Sequence, residues 1–165
     1  MTVTINGNGT ITPTSAIQPT GSVLQVLQAV KDDTASTTSL SFVDLSGLSQ
    51  AITPSSSSSK ILVTFNIGVS NNAVSTYFNL VRGSTNIAQP ANTSGLGPTT
   101  ALSAKSSTHM SKESLTWLDS PNTTSAITYK IQWHGNTAGT TYINRWFSSD
   151  NYHHVSTLTL MEIAG

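Results

Sequence analysis

Apolar and polar residues alternate along residues 59–69 of the chain. The apolar positions are Ile61, Val63, Phe65, Ile67 and Val69. An extended chain places every second residue on the same face, so this pattern predicts a half-buried β-strand. Residues 155–163 repeat the alternation. The chain is therefore expected to be an antiparallel β-protein.

Segments of similar character recur between clusters of Gly, Pro, Asn and Ser, which are typical of turns. The predicted strands are residues 22–30, 39–45, 48–53, 60–70, 75–82, 112–118, 126–134, 140–145 and 155–163. The first of these segments also fits a helix, but its valines favour a strand. Nine short strands at this spacing predict an all-β fold, an antiparallel β-sandwich that is jelly-roll-like.

The first twenty residues differ from the rest and are interpreted as an extended N-terminal arm. Asn-Gly pairs supply turns there, and Pro13 and Pro19 interrupt any ladder of hydrogen bonds. Val3, Ile5 and Ile11 are the residues expected to contact another surface. The arm, residues 1–20, would serve attachment or subunit exchange, and residues 21–165 would form the β-sandwich domain.

Residues 89–108 form a long stretch of Ser, Thr, Gly, Ala and Pro without clear periodicity. Loops of this length in a compact domain are usually functional or disordered. The stretch is a candidate contact loop, and the alternative interpretation is a surface excursion without a function.

The composition argues against several classes of partner. Only 8% of the 165 residues are charged and the formal net charge is zero, while about a third are Ser or Thr. Such a chain lacks the basic footprint that binding to nucleic acid or to anionic lipid requires. No apolar segment is long enough to span a membrane, and the first residues lack the pattern of a signal peptide. We therefore expect neither nucleic acid nor membrane insertion among its interactions.

Aromatic and histidine residues are concentrated in the last third of the chain. Tyr129, Ile131 and Trp133 alternate and are expected in the core. Residues 145–154 are rich in turn residues, so their aromatic side chains are candidates for contact with a receptor or with another subunit. The candidates are Arg145, Trp146, Phe147, Asp150, Tyr152, His153 and His154.

Signatures of catalysis and of metal binding are absent from the sequence. The chain has no Cys, and adjacent residues such as His153 and His154 point to opposite faces of a strand, so no metal site is expected. The Gly-x-Ser-x-Gly turn of many hydrolases is missing. Asp119, next to Ser120 and Pro121, is interpreted as a turn residue. We expect that the chain is not an enzyme and that it has no catalytic residues and no cofactor.

Several segments, taken together and in this order, resemble a module found at the C-terminal end of bacteriophage tail fibres and in other virion proteins. They are GSVLQVLQAVK (21–31), SFVDLSGL (41–48), ITP (52–54), KILV (60–63), LVRGSTNI (80–87), LDSP (118–121), TYKIQ (128–132), YINR (142–145) and STLTLMEIA (156–164). The resemblance covers most of residues 21–165. It implies a structural protein on the virion surface, assembled in the host cytoplasm, that forms a homotrimer of β-sandwiches.

Two functions follow as expectations from the resemblance. The first is host attachment of the tail-fibre type, through binding of a host-surface glycan or protein. The second is capsid decoration, in which the arm ties a cement protein to the head shell. Such modules commonly follow a long shaft, whereas about twenty residues precede the match here, which favours a capsid decoration protein or a short fibre tip. In either case other virion proteins, of the shell or of a tail adaptor, are expected partners.

Overall fold

The computed structural model describes residues 4–5, 7, 11–12, 19–72, 75–91, 100–103, 110–135 and 137–165. Within these ranges all regular secondary structure is β-strand. The strands are β1 (Thr4–Ile5), β2 (Ile11–Thr12), β3 (Val23–Lys31), β4 (Ala35–Thr37), β5 (Val43–Ile52), β6 (Lys60–Asn71), β7 (Ser75–Arg82), β8 (Thr85–Ile87), β9 (Thr100–Ser103), β10 (Ser111–Asp119), β11 (Ile127–Gly135), β12 (Thr141–Ile143), β13 (Arg145–Trp146), β14 (Ser149–His153) and β15 (Ser156–Ile163). Every pairing between them is antiparallel, which confirms the predicted all-β antiparallel fold.

The larger sheet, sheet I, is built around β6. One edge of β6 pairs with β15 and, further along, with β12, and the other edge pairs with β10. Strands β3 and β4 pair in turn with β15 and β12. Since β3 and β4 lie end to end, as do β15 and β12, sheet I has four strand positions with an interruption in two of them.

The second sheet, sheet II, is built around β11 and β7. Strand β11 lies between β5 and β7, and the other edge of β7 pairs with β8 and β9. Strands β8 and β9 again lie end to end along one neighbour. Sheet II therefore also has four strand positions.

The order of these eight strand positions is that of a jelly roll. Numbered along the chain, the positions in sheet I run 1-8-3-6 and those in sheet II run 2-7-4-5. The buried apolar side chains of both sheets form one cluster between them, to which Phe65 of β6, Phe78 of β7 and Leu158 of β15 contribute. Tyr129, Ile131 and Trp133 are buried in this cluster, which confirms their predicted place in the core.

Residues 43–52 form one strand, β5, where the sequence predicted two, at 39–45 and 48–53. A bulge accounts for the difference. Asp44 pairs with Gln132 and Ser49 with Lys130, so several residues of β5 lie opposite a single residue of β11. Gly47 adopts a φ of 88° within the bulge, a conformation that favours glycine. The bulge interrupts the alternation of apolar and polar residues, but the strand continues through it.

Other predicted elements fare differently. Residues 23–31 form a strand and not the alternative helix, and residues 75–82 form β7 as predicted. The candidate contact loop at 89–108 contains β9, so residues 100–103 belong to sheet II, while residues 92–99 and 104–109 lie outside the described residues. In the arm, β1 and β2 form a small hairpin with a sheet of its own.

The outer face of sheet I carries one apolar row near the end where β3 begins and β15 finishes. Val26, Met161, Leu62 and Leu118 occur in register on four neighbouring strands. We call these four residues the apolar row. The next row along the strands, further from the start of β3, is polar. In it Gln28 is hydrogen-bonded to Thr159, and Thr64 is hydrogen-bonded to Thr116. No helix in the described residues is long and apolar enough to cross a membrane.

Candidate contact surface

The seven predicted contact residues lie on one hairpin and on the residue that follows it. Arg145 and Trp146 form β13, Phe147 lies in the turn, and β14 contributes Asp150, Tyr152 and His153. The hairpin interrupts the strand position made of β12 and β15. It begins over Ser70 of β6, whose hydroxyl donates a hydrogen bond to the Arg145 carbonyl (2.7 Å). We call this region the hairpin end of sheet I.

Asn144 fixes the base of the hairpin. Its amide nitrogen donates to the carbonyls of Lys31 (2.7 Å) and Asp33 (3.0 Å), and its amide oxygen accepts from the Ser156 hydroxyl (2.6 Å). Its backbone N–H donates to the Gly68 carbonyl (2.9 Å). The residue is fully buried and has a φ of 58°, which Asn tolerates better than most side chains. One residue thus ties the hairpin to β3, β6 and β15.

His154 covers the backbone of β6 at Gly68. A Cβ atom built on Gly68 would lie 2.5 Å from the His154 Cβ and 2.7 Å from its Nδ1, so only glycine leaves room for this contact. Burial, and then the positive charge of Lys112, lower the pKa of His154. Its buried Nδ1 has no hydrogen-bond partner among the described residues. His154 is therefore a packing residue that holds the end of the hairpin against β6.

Three aromatic rings form the body of the hairpin. The Trp146 ring meets Phe147 edge to face at 6.0 Å and Tyr152 at 5.7 Å between centroids. Such pairs contribute about 0.5–1.5 kcal/mol beyond the area they bury. Trp146 and Phe147 are half-buried, whereas Tyr152 is 62% exposed. Tyr152 consequently presents an aromatic surface to solvent on a supported base.

An irregular ladder presents polar side chains beside Tyr152. Trp146 pairs with Ser149 and Arg145 with His153, so the residues between them on β14 have no partner on β13. Asp150 and Asn151 are exposed in this bulge. The Asp150 carboxylate lies 3.5 Å from the Arg145 Nε, and the His153 Nε2 lies 2.6 Å from the Asp150 carbonyl.

Arg145 is held from its other side by an aromatic ring. Its guanidinium carbon lies 5.0 Å from the centroid of the Tyr142 ring, a cation–π contact. The hairpin therefore offers an exposed ring (Tyr152), a carboxylate (Asp150), an amide (Asn151) and an imidazole (His153) within a few residues. This set can stack on an apolar face and form directional hydrogen bonds, as binding of a sugar or of a protein surface requires.

The described residues contain no group of three or more His, Asp or Glu side chains that could hold a metal ion. His153 and His154 have different surroundings, one exposed and the other over Gly68, in agreement with the alternation of side chains along a strand. Of the predicted arm contacts, Ile5 and Ile11 are paired across β1 and β2, and Val3 lies outside the described residues.

The interpretation of Asp119 as a turn residue is wrong. It is the buried last residue of β10, and both carboxylate oxygens accept hydrogen bonds from Arg82 at 2.9 Å. The Tyr129 hydroxyl donates to the same carboxylate at 2.6 Å. Since its oxygens are occupied within the fold, Asp119 stabilises the contact between β10, β7 and β11.

Sequence reasoning did not predict that Glu162 is a buried, hydrogen-bonded carboxylate at the opposite end of sheet I. It accepts hydrogen bonds from the Ser55 backbone and hydroxyl (2.7 and 2.6 Å) and from Gln25 (2.6 Å). Burial alone would raise its pKa, but these hydrogen bonds outweigh that effect and lower the pKa from 4.5 to about 2. The signal in the sequence was one acidic residue in the apolar alternation of β15.

No protein-family model matches this chain, and no curated protein matches it.

Proposed function

We propose that this chain is a non-enzymatic structural protein of a bacteriophage virion surface, a homotrimer that acts as a host-attachment domain of the tail-fibre type. The hairpin end of sheet I would contact a glycan or a protein on the host surface. The arm would join the domain to the particle.

The observation that carries the proposal is the placement of the hairpin and the arm at opposite ends of sheet I. The arm meets the sheet beside Ala164, where the Gly21 N–H donates to the Ala164 carbonyl (2.8 Å). Ile163 pairs with Lys60 at that end, and Ile143 pairs with Val69 at the hairpin end. Nine residue steps along β6 separate them by about 30 Å. A domain attached at one end can present the other to a cell.

The fold and the chemistry of the surface support the same proposal. Jelly-roll sandwiches are common among viral capsid and lectin domains, although a fold alone does not decide function. The exposed Tyr152 with Asp150 and Asn151 beside it suits a carbohydrate or a polar protein surface. Three copies would multiply a weak contact, because binding of the first site raises the effective concentration of the others.

A second candidate function is capsid decoration, with the arm bound to the head shell. It is favoured by the arm itself, which has no charged residue in its twenty positions and offers Val3, Ile5 and Ile11 for an apolar contact. Under this function the hairpin end would lie between copies on the shell.

The test is labelling of intact virus particles with antibody against the purified chain, read by negative-stain electron microscopy. Label at the tail supports attachment, and label over the whole head supports decoration. Absence of label from all particles would contradict both. Light scattering of the purified chain tests the trimer, for which we expect three times the monomer mass.

A further inference from the structure

Strands β3 and β10 are the two edges of sheet I. In the part of the chain that the structure describes, β3 pairs only with β15 and β10 pairs only with β6. Monomeric proteins commonly protect the unpaired backbone groups of such edges with proline, charge or a bulge. Neither strand contains proline, residues 23–30 and 114–118 carry no charge, and β10 follows β6 over nine residues without a shift of register. Both edges are therefore suited to pairing with a further strand.

Large apolar side chains are exposed on both edge strands. The apolar row ends in Val26 on β3 and in Leu118 on β10, which are 54% and 48% exposed, whereas its two inner members are half-buried. On the inner face of β10, Trp117 is 40% exposed, although its partner across the ladder, Val63, is fully buried. Each exposed side chain has a neighbouring strand of sheet I on one side only.

The two edge strands run in opposite directions. Three antiparallel pairings connect them, from β3 to β15, from β15 to β6 and from β6 to β10. A rotation about an axis parallel to the strands leaves strand directions unchanged, so β10 of one copy would lie antiparallel to β3 of the next copy. The contact joins two different surfaces, and contacts of this kind close into a ring where the rotation permits it.

One register of this pairing matches the side chains of the two edges. If the apolar row continues from one copy into the next, Leu118 lies opposite Val26 of the next copy. Two residues further along, Thr116 lies opposite Gln28 of the next copy, which continues the polar row. On the inner face, Trp117 lies opposite Leu27 of the next copy, which packs against the core. Cross-strand pairs of this kind stabilise a sheet and set its register.

Charge selects the same register. Lys112 near the start of β10 and Asp32 directly after β3 are both exposed. When Leu118 lies opposite Val26, six residue steps along both strands bring Lys112 opposite Asp32 of the next copy. A shift by two residues would instead place Lys112 opposite Val30 or Thr34, neither of which is charged. Opposite charges across a strand pair are favourable.

We infer that β10 of one copy pairs with β3 of a second copy in the register that continues the apolar row. The inference deepens the proposed function, on which it rests for the number of copies, and names the contact that would close the trimer. Because the axis runs along the strands, all hairpin ends would lie on one side of the trimer and all arm ends on the other.

Disulfide formation between copies tests this pairing, since the chain has no Cys of its own. Val26→Cys and Leu118→Cys are introduced into separate chains, which are co-expressed, oxidised and separated by mass. A disulfide requires Cα atoms within about 7 Å of each other. We expect a linked dimer from the mixture and severalfold less from either variant alone, because each edge pairs with the other edge and not with itself.

The matched control is Val30→Cys co-expressed with Leu118→Cys. Val26 and Val30 are the same residue type on the same strand and face, and they are 54% and 53% exposed. Four residue steps, about 13 Å, place Val30 out of register with Leu118. We therefore expect severalfold less linked dimer from the control mixture.

A chain that carries both Val26→Cys and Leu118→Cys tests the ring. Within one chain the two residues lie three strand spacings apart, about 14 Å, so a disulfide can form only between copies. A closed ring of three predicts a covalent trimer as the final product.

Charge reversal tests the register. Lys112→Glu should weaken the assembly severalfold, as measured by light scattering on dilution, because it places like charges opposite each other. Addition of Asp32→Lys to this variant should restore the assembly. Restoration by Asp32→Lys is not expected if Lys112 acts elsewhere on the surface.

The outcomes separate this inference from the proposed trimer. A trimer by light scattering without the mixed disulfide would overturn the pairing and leave the trimer intact. Mixed disulfides in products longer than three copies would support the pairing and contradict the trimer. Equal linkage by one variant alone would mean pairing of identical edges and would overturn the inference. A monomer at all concentrations would contradict both.

Discussion

The two ends of sheet I differ in what they present at the outer surface of the sheet. At the hairpin end, buried polar groups fix the backbone, since Asn144 alone bonds to Lys31, Asp33, Gly68 and Ser156. At the arm end, the outer face offers apolar side chains without directional partners. Hydrogen bonds of the first kind hold one geometry, whereas apolar contact tolerates sliding and release. A fixed backbone is what specific recognition requires, whereas apolar contact suits an attachment that can be exchanged.

The largest expected effect comes from breaking the hairpin end at Asn144. Asn144→Ala removes three side-chain hydrogen bonds in the interior and places Ala at a positive φ, so we expect a loss of about 3–4 kcal/mol in the free energy of unfolding. Urea unfolding followed by Trp fluorescence measures it. Asn144→Gly is the control, because glycine accepts the φ and lacks only the side-chain bonds. Equal costs for Ala and Gly would show that the backbone conformation carries no strain.

The arm end has a buried polar group of its own, and pH tests it. Glu162 has a lowered pKa of about 2 in the folded protein, against 4.5 for an ordinary Glu. Its contribution to stability is therefore complete above about pH 4.5 and is lost as the pH falls toward 2, a loss of about 3 kcal/mol. Urea midpoints from about pH 6 to about pH 3 capture about 2 kcal/mol of this loss. In Glu162→Gln the decline should flatten, and an unchanged decline would assign it to other carboxylates.

A smaller effect tests the packing of His154 on β6. Gly68→Ala places a methyl group 2.5 Å from the His154 Cβ, and we expect a cost of about 1–3 kcal/mol from displacement of the hairpin. The double variant with His154→Gly should recover most of this cost. The double variant with His154→Ala should not, because it keeps the Cβ that clashes. Denaturant unfolding of the wild type, Gly68→Ala, the two His154 single variants and the two double variants gives both cycles, and equal recovery by both double variants would contradict the contact.

The smallest change in stability and the most specific change in function are expected at Tyr152. Its ring is mostly exposed, so Tyr152→Ala should shift the unfolding free energy by no more than about 0.5–1 kcal/mol, the share of the Trp146 contact. Under the proposed attachment function, binding of the purified protein to host cells should fall at least about tenfold. Val155→Ala is the control, an exposed residue just beyond the hairpin. Loss of binding in both variants would argue against a site at Tyr152.

The sequence predicted much of the fold because the inward faces of β6, β7, β11 and β15 are regular. It failed where a strand is interrupted or short. Gly47 broke the alternation of β5, and β8 and β9 have too few residues to show a period. The prediction of a sandwich does not depend on these elements, because the core is formed by the inward-facing residues of the long strands.

The candidate site was predicted in part. The run from Arg145 to His154 was singled out by its composition, and the structure places it on one hairpin. Asn144 and Gly68 were not singled out, because their roles depend on contacts with residues distant in the chain. The apolar row could not be predicted from the sequence for the same reason. The register of four strands brings together residues from four separate segments.

Under the proposed function, the arm end faces the particle and the hairpin end faces outward. One measurement tests it directly, the labelling of single cysteines on assembled particles with biotin–maleimide. Ser148→Cys lies in the turn of the hairpin and Ser57→Cys lies in the exposed serine loop at the arm end, before Lys60. We expect biotin on the chain from Ser148→Cys particles and protection of the chain from Ser57→Cys particles, while both variants label in the free protein. Protection of Ser148→Cys with labelling of Ser57→Cys would contradict it.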